Sequence, residues 1–131
     1  MRRPLNFGHT VGHAIETVTG YGPVLHGEAV ALGMAVAARI SLARGWVGQA
    51  SYSRLVTLLH RAGLPHTIAQ LGLPVDADDV VKALGKIRLI RDGRLRFVLP
   101  LEVGEVAITD DVTDEEIRRA LDVPVAVRNA R

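Results

Sequence analysis

Arg2, Asn6, His9, His13 and Glu16 are spaced by 4, 3, 4 and 3 residues. On a helix that reaches back to Arg2, this spacing sets all five on one face. The stripe joins a cation, an amide, two imidazoles and a carboxylate, groups that bind anions, hold metals and move protons. A third imidazole, His26, follows a turn containing Gly20 and Gly22. His9, His13 and His26 can converge on one divalent ion, since zinc takes imidazole nitrogens. The chain has no cysteine, which excludes disulfides and thiolate sites but leaves iron, cobalt and manganese open beside zinc. No glutamate lies between His9 and His13, so this is not a metalloprotease helix. Glu28 could orient an imidazole and Glu16 could orient His13, as carboxylates do behind metal-bound histidines; neither is read as a ligand. His60 and His66 read as ordinary core or surface residues.

These groups need elements to hold them. A helix is expected from about Pro4 to Thr19, with proline in its first turn and the Gly20, Gly22, Pro23 cluster as its stop. Gly8 and Gly12, each preceding a histidine, cost such a helix about 1 kcal/mol apiece relative to alanine. Close approach of a second helix or a ligand is the expected compensation. His26 to Arg44 is a second helix ended by Gly45. Its stretch from Ala29 to Ala43 has a single charge, Arg39, and so lacks the polar face of a surface helix. A partner, either a missing segment or another copy of the chain, is expected to cover part of it, and a homo-oligomer follows.

Gln49 to Ala62 reads as an amphipathic helix, and His66 to Leu71 as a short helical piece. Asp76, Asp78 and Asp79 open a further helix that frays near Gly85. Ile87–Ile90 and Arg94–Leu99 flank Asp92 and Gly93, a hairpin signal, with a third strand at Glu105–Thr109. Thr113 and Glu116 form a capping box for a last helix to Leu121. The expected fold is mainly α: one multi-helical domain over residues 1–123 with a small antiparallel β-hairpin, and a loosely held tail over 124–131.

Composition agrees with one domain whose core is aliphatic, because 48% of residues are apolar and only 4% aromatic. Net charge is +2, yet residues 1–75 carry Arg2, Arg3, Arg39, Arg44, Arg54 and Arg61 against only Glu16 and Glu28. An anionic small molecule is the expected ligand of that half. No basic run is interleaved with aromatics, so nucleic acid is not expected. The helix from His26 is too short, and interrupted by Arg39, to span a membrane. The two N-terminal arginines precede no apolar run, so no targeting peptide is read and a cytoplasmic location is expected.

The runs LNFGHTVGHAIE, GYG and LHGEAVALGM strongly resemble the 3-dehydroquinate synthase family, with weaker matches at GLP (Gly63–Pro65) and GRLRFVLP (Gly93–Pro100). The resemblance implies a metal-dependent, NAD-using cyclase of the shikimate pathway. Such an enzyme converts 3-deoxy-arabino-heptulosonate 7-phosphate to 3-dehydroquinate and phosphate. It implies that His9 and His26 ligate zinc, or another divalent ion such as cobalt, while His13 serves proton transfer and is not a ligand. Arg2 and Asn6 would contact the anionic sugar-acid phosphate.

In that family NAD is held mainly by an N-terminal domain that also supplies a glutamate ligand, and nothing in this chain resembles it. No cofactor-binding residue is therefore assigned here, and the chain alone is expected to be inactive. The family's Asp-Lys-Lys stretch is replaced by LGKIRLIRDG, in which Lys86 or Arg88 could stand in. Alternatives are a cyclase of aminocyclitol biosynthesis, a relative of the metal-dependent alcohol dehydrogenases, or a non-catalytic helical assembly module.

Overall fold

The computed structural model describes residues 8–20, 26–90 and 95–122. Helices α1 (His9–Thr19), α2 (His26–Arg44), α3 (Gln49–Arg61), α4 (Ala77–Ile90) and α5 (Asp114–Leu121) surround one aliphatic core, with strands β1 (Phe97–Pro100) and β2 (Val106–Thr109) between α4 and α5. The mainly helical fold with a two-stranded antiparallel hairpin is as expected. No helix among the described residues is long and apolar enough to cross a membrane.

Helix α2 is the axis of the domain. Its sequence has no polar face because it needs none: Ala29, Ala31, Leu32, Gly33 and every residue from Ala35 to Ser41 are buried. Helices α1, α3 and α5 and strand β1 pack around it. The expectation that a partner must cover this helix is therefore corrected; the chain wraps it with its own elements. Ile15, Leu32, Ile40, Leu84, Leu99 and Ile117 are the largest fully buried apolar side chains, drawn from five different elements, so the core ties α1, α2, α4, β1 and α5 together.

Buried Arg39 shows how α2 carries a cation inside that core. Its Nε donates to the Tyr52 hydroxyl at 2.9 Å, its Nη1 to the Ala120 carbonyl at 2.7 Å, and its Nη2 to the His66 carbonyl. One guanidinium fork thus joins α2 to α3, to the segment before the 3-10 turn at Ile68–Leu71, and to the end of α5. Arg44 is similarly occupied, through a two-point contact with Glu116 at 2.7 and 3.0 Å and an ion pair with Asp111 at 3.0 Å. The arginine excess of the first 75 residues is in these two cases structural, not a lure for anions.

Three boundaries differ from expectation. Helix α1 begins at His9, because Gly8 sits at φ 85° in the left-handed region and interrupts any helix running back to Pro4. Arg2 and Asn6 lie outside the described residues; of the expected five-residue face the structure describes His9, His13 and Glu16. Helix α4 continues through Gly85 to Ile90, so Ile87–Ile90 is helical and not a strand. Burial explains it: Val80, Val81 and Leu84 are core residues with Ile87 packed beside them, a helical repeat that outweighs local β-propensity.

The hairpin instead pairs Phe97–Pro100 with Val106–Thr109, in the register Phe97 with Thr109 and Pro100 with Val106. The segment expected as a third strand is thus its second. Asp92, Gly93 and the tail over 124–131 lie outside the described residues. Elsewhere local signals hold. Thr113 and Glu116 form the capping box of α5. Asp76 and Asp79 cap α4 reciprocally, each backbone N–H bonded at 3.0 Å to the other's carboxylate.

Candidate metal and substrate site

The site is built where α1 crosses α2. Gly12 lies against the Ala29 backbone, and a Cβ there would stand 3.0 Å from the Ala29 carbonyl oxygen. A Cβ on Gly8 would meet the Val30 carbonyl oxygen at 2.7 Å, and one on Gly33 would collide with the Gly8 carbonyl oxygen. The close approach expected from these helix-weakening glycines is the α1–α2 contact itself. With no side chain at the crossing, the two backbones come near enough for their imidazoles to meet.

His9, the first residue of α1, and His26, the first of α2, face each other with ring centroids 5.4 Å apart and planes inclined at 67°. The Nδ1 atom of His9 is buried without a hydrogen-bond partner, a state that normally costs free energy unless a ligand satisfies it. His26 Nδ1 lies 3.1 Å from Glu16 Oε2; the imidazole is 64% exposed and the carboxylate 13%. The fold thus gives Glu16 a bond to His26, whereas sequence spacing offered it to His13.

This donor set fits a divalent ion as two imidazole ligands with a carboxylate behind one of them. Among the described residues no group of three or more His, Asp or Glu side chains could hold a metal. A complete tetrahedral site thus needs a ligand from elsewhere.

His13, one turn beyond His9, is not part of this pair. It opens on a cleft of about 640 Å³ between α1 and α4, lined also by Thr17, Val75, Lys82, Lys86 and Ile87. Two lysines therefore border the same space as the imidazole expected to move a proton. Arg88 instead points to α5 and pairs with Asp114 at 3.1 Å. Of the two stand-ins weighed for the family's lysine, the cleft contains Lys86. Lys82 was missed in the sequence, although its i, i+4 relation to Lys86 on a helix places both on one face. His60 and Glu28 line a separate cleft of about 400 Å³ with Pro65 and Gln70.

Comparison with known proteins gives a consistent picture. The chain is 60% identical over 121 residues to 2-epi-valiolone synthase of Actinosynnema mirum, covering 92% of this chain and 32% of that enzyme. It is 45% identical over 117 residues to 3-dehydroquinate synthase of Dichelobacter nodosus, covering 89% and 31%. It spans about a third of the length of these curated relatives.

Among solved structures, ValA, a 2-epi-5-epi-valiolone synthase from Streptomyces hygroscopicus with NAD+ and Zn2+ bound, superposes with a TM-score of 0.74 at 30% identity, covering 87% of this chain and 30% of that one. A 2-deoxy-scyllo-inosose synthase complexed with carbaglucose-6-phosphate, NAD+ and Co2+ gives a TM-score of 0.67, also at 30% identity, covering 87% and 31%. The 3-dehydroquinate synthase C-terminal family matches residues 1–87. Histidine motifs, the glycine-mediated helix crossing and these likenesses together mean that the chain belongs to the 3-dehydroquinate synthase family, of which it carries the C-terminal domain.

Proposed function

We propose that this chain is the metal- and substrate-contacting part of a sugar-phosphate cyclase that uses NAD and a divalent ion, zinc or cobalt. The observation that carries the reading is the facing pair His9 and His26 at the α1–α2 crossing; a cleft on α1 brings His13, one turn beyond His9, together with Lys82 and Lys86. NAD belongs mainly to an N-terminal domain outside these 131 residues, which is the partner this reading requires.

The residues divide the work by their chemistry. His9 and His26 hold the ion, which when bound polarises substrate hydroxyl and carbonyl oxygens. His13, exposed in the cleft, can accept a proton on one ring nitrogen and donate one from the other, as a relay between substrate oxygens requires. Lys82 and Lys86 offer ammonium donors for phosphate or carboxylate oxygens, where a charge-assisted bond is stronger than a neutral one. Arg2 and Asn6 are assigned to the substrate by their place in the motif.

Within the class, identity favours the valiolone type of cyclase: 60% to the Actinosynnema enzyme against 45% to the Dichelobacter dehydroquinate synthase. The second reading is dehydroquinate synthase proper, in the shikimate pathway, supported by the intact GHTVGHAIE and HGEAV motifs.

A chimera tests both. The chain is joined to the upstream part of the Actinosynnema synthase and given NAD, zinc and either heptulosonate 7-phosphate or the corresponding seven-carbon ketose phosphate without the carboxylate. Phosphate release from the second substrate, lost in His9→Ala and His13→Ala, is expected. Release from the first alone would select the dehydroquinate reading. A folded, NAD-binding chimera that releases phosphate from neither would refute the cyclase assignment.

A further inference from the structure

The bond between Glu16 and His26 does more than join two helices. A carboxylate only accepts hydrogen bonds, so with a neutral imidazole the 3.1 Å contact requires the proton to reside on Nδ1. The lone pair is then on Nε2, the nitrogen remote from Glu16. We propose that Glu16 is a positioning residue for metal binding: it holds His26 as the Nδ1–H tautomer and presents Nε2 to a divalent ion. The inference rests on the assignment of His9 and His26 as ligands.

Three features support it. His26 is 64% exposed while the Glu16 side chain is 13% exposed; the carboxylate is the fixed partner, and the ring is the one whose rotamer freedom must be curtailed. Glu16 stands on α1, whose place relative to α2 is set by backbone contact at Gly8, Gly12 and Gly33, so the acceptor cannot drift from the start of α2. The third feature is independent of Glu16. The second imidazole, His9, has a buried Nδ1 with no partner, and its ring lies 5.4 Å from that of His26. One ring is thus oriented by a carboxylate, and the ring beside it has a buried nitrogen without a partner.

The test uses the chimera described above, whose upstream part can supply the further ligand, with zinc as the probe. Long-range proton–nitrogen correlation spectra above neutral pH should show His26 as Nδ1–H, and Glu16→Ala should abolish that preference. Calorimetric titration with zinc chloride should show binding weakened by about 10- to 100-fold in Glu16→Ala. Much of it should return in Glu16→Gln, whose amide oxygen still accepts from Nδ1–H. An Nε2–H tautomer in the unmodified chimera would overturn the proposal. So would zinc affinity that survives Glu16→Ala but is lost in His26→Ala. Zinc affinity unaffected by His26→Ala would instead overturn the ligand assignment beneath it, while the tautomer spectrum continues to report on the Glu16–His26 pair.

Discussion

Replacing Gly33 by alanine tests whether helix crossing at glycine backbone builds the site. In a helix interior, glycine to alanine ordinarily gains about 1 kcal/mol. At Gly33 the added Cβ would collide with the Gly8 carbonyl oxygen and stand 3.0 Å from the Gly12 nitrogen. Both neighbours are backbone, so no side chain can turn aside, and Gly8 at φ 85° is already in a conformation that other residues adopt only with strain.

Overpacking costs about 1–3 kcal/mol when side chains can adjust; with backbone on both sides the upper end applies. Setting that against the helix gain leaves a loss of about 2 kcal/mol, or about 6–8 °C in Tm for a domain of this size. Gly85→Ala is the control, since a Cβ there meets nothing within 4 Å; it should gain about 1 kcal/mol. Thermal and urea unfolding of both variants read the two signs. A Gly33→Ala protein as stable as the parent, or stabilised like Gly85→Ala, would refute the close-contact argument.

Three further outcomes are expected. Arg44 donates to Glu116 and thereby holds its carboxyl below the ordinary glutamate range, against a smaller opposing effect of burial. The resulting stability is complete above the unfolded pKa, about 4.3, and is lost as pH falls through the lower folded value; Glu116→Gln should flatten the acid limb of a stability profile measured between pH 6 and pH 3 by denaturant unfolding, and an unchanged limb would contradict this. Arg39→Ala leaves the Ala120 and His66 carbonyls without their donor, at a cost of about 2–4 kcal/mol in urea unfolding, and Arg39→Lys should recover little because an ammonium cannot span the same three acceptors. In the chimeric cyclase, Lys86→Ala should raise KM by about tenfold or more, whereas Arg88→Ala, which removes a surface pair with Asp114, should change it less than about twofold; equal effects would remove Lys86 from the substrate site.

Local chemistry explains which elements were legible. The ends of α2, the capping box of α5 and the acidic start of α4 rest on interactions between residues a few positions apart, and such signals survive without knowledge of the fold. Helix α3 shows the contrary case. Its N-cap, Gly48, offers no side chain, and the start of the helix is held instead by Glu102, whose carboxylate takes the Gly48 N–H at 2.6 Å and the Ser51 hydroxyl at 2.7 Å. Nothing near Gly48 in the chain could announce it. Ile87–Ile90 is similar: two isoleucines and a leucine around Arg88 are ambiguous by themselves, and packing of α4 against α1 decided their state.

For the site, residue type and spacing alone singled out His9, His13, Glu16 and His26, because imidazoles and carboxylates at helical intervals have few other uses on a segment otherwise suited to burial. The sequence also determined that these 131 residues offer a metal no thiolate. Which of these groups meet was decided by tertiary structure. His9 and His13 share a helix, yet the near neighbour of His9 is His26 on another, and Glu16 serves the ring that begins α2. Two of the arginines that suggested an anion-binding half, Arg44 and Arg39, are spent on Glu116 and Asp111 and on backbone carbonyls, while the cleft's cations come from α4. The reason is physical: spacing along a chain fixes a residue's direction from its own helix axis, but distances between helices depend on what lies at their crossing, here glycines that let two backbones touch.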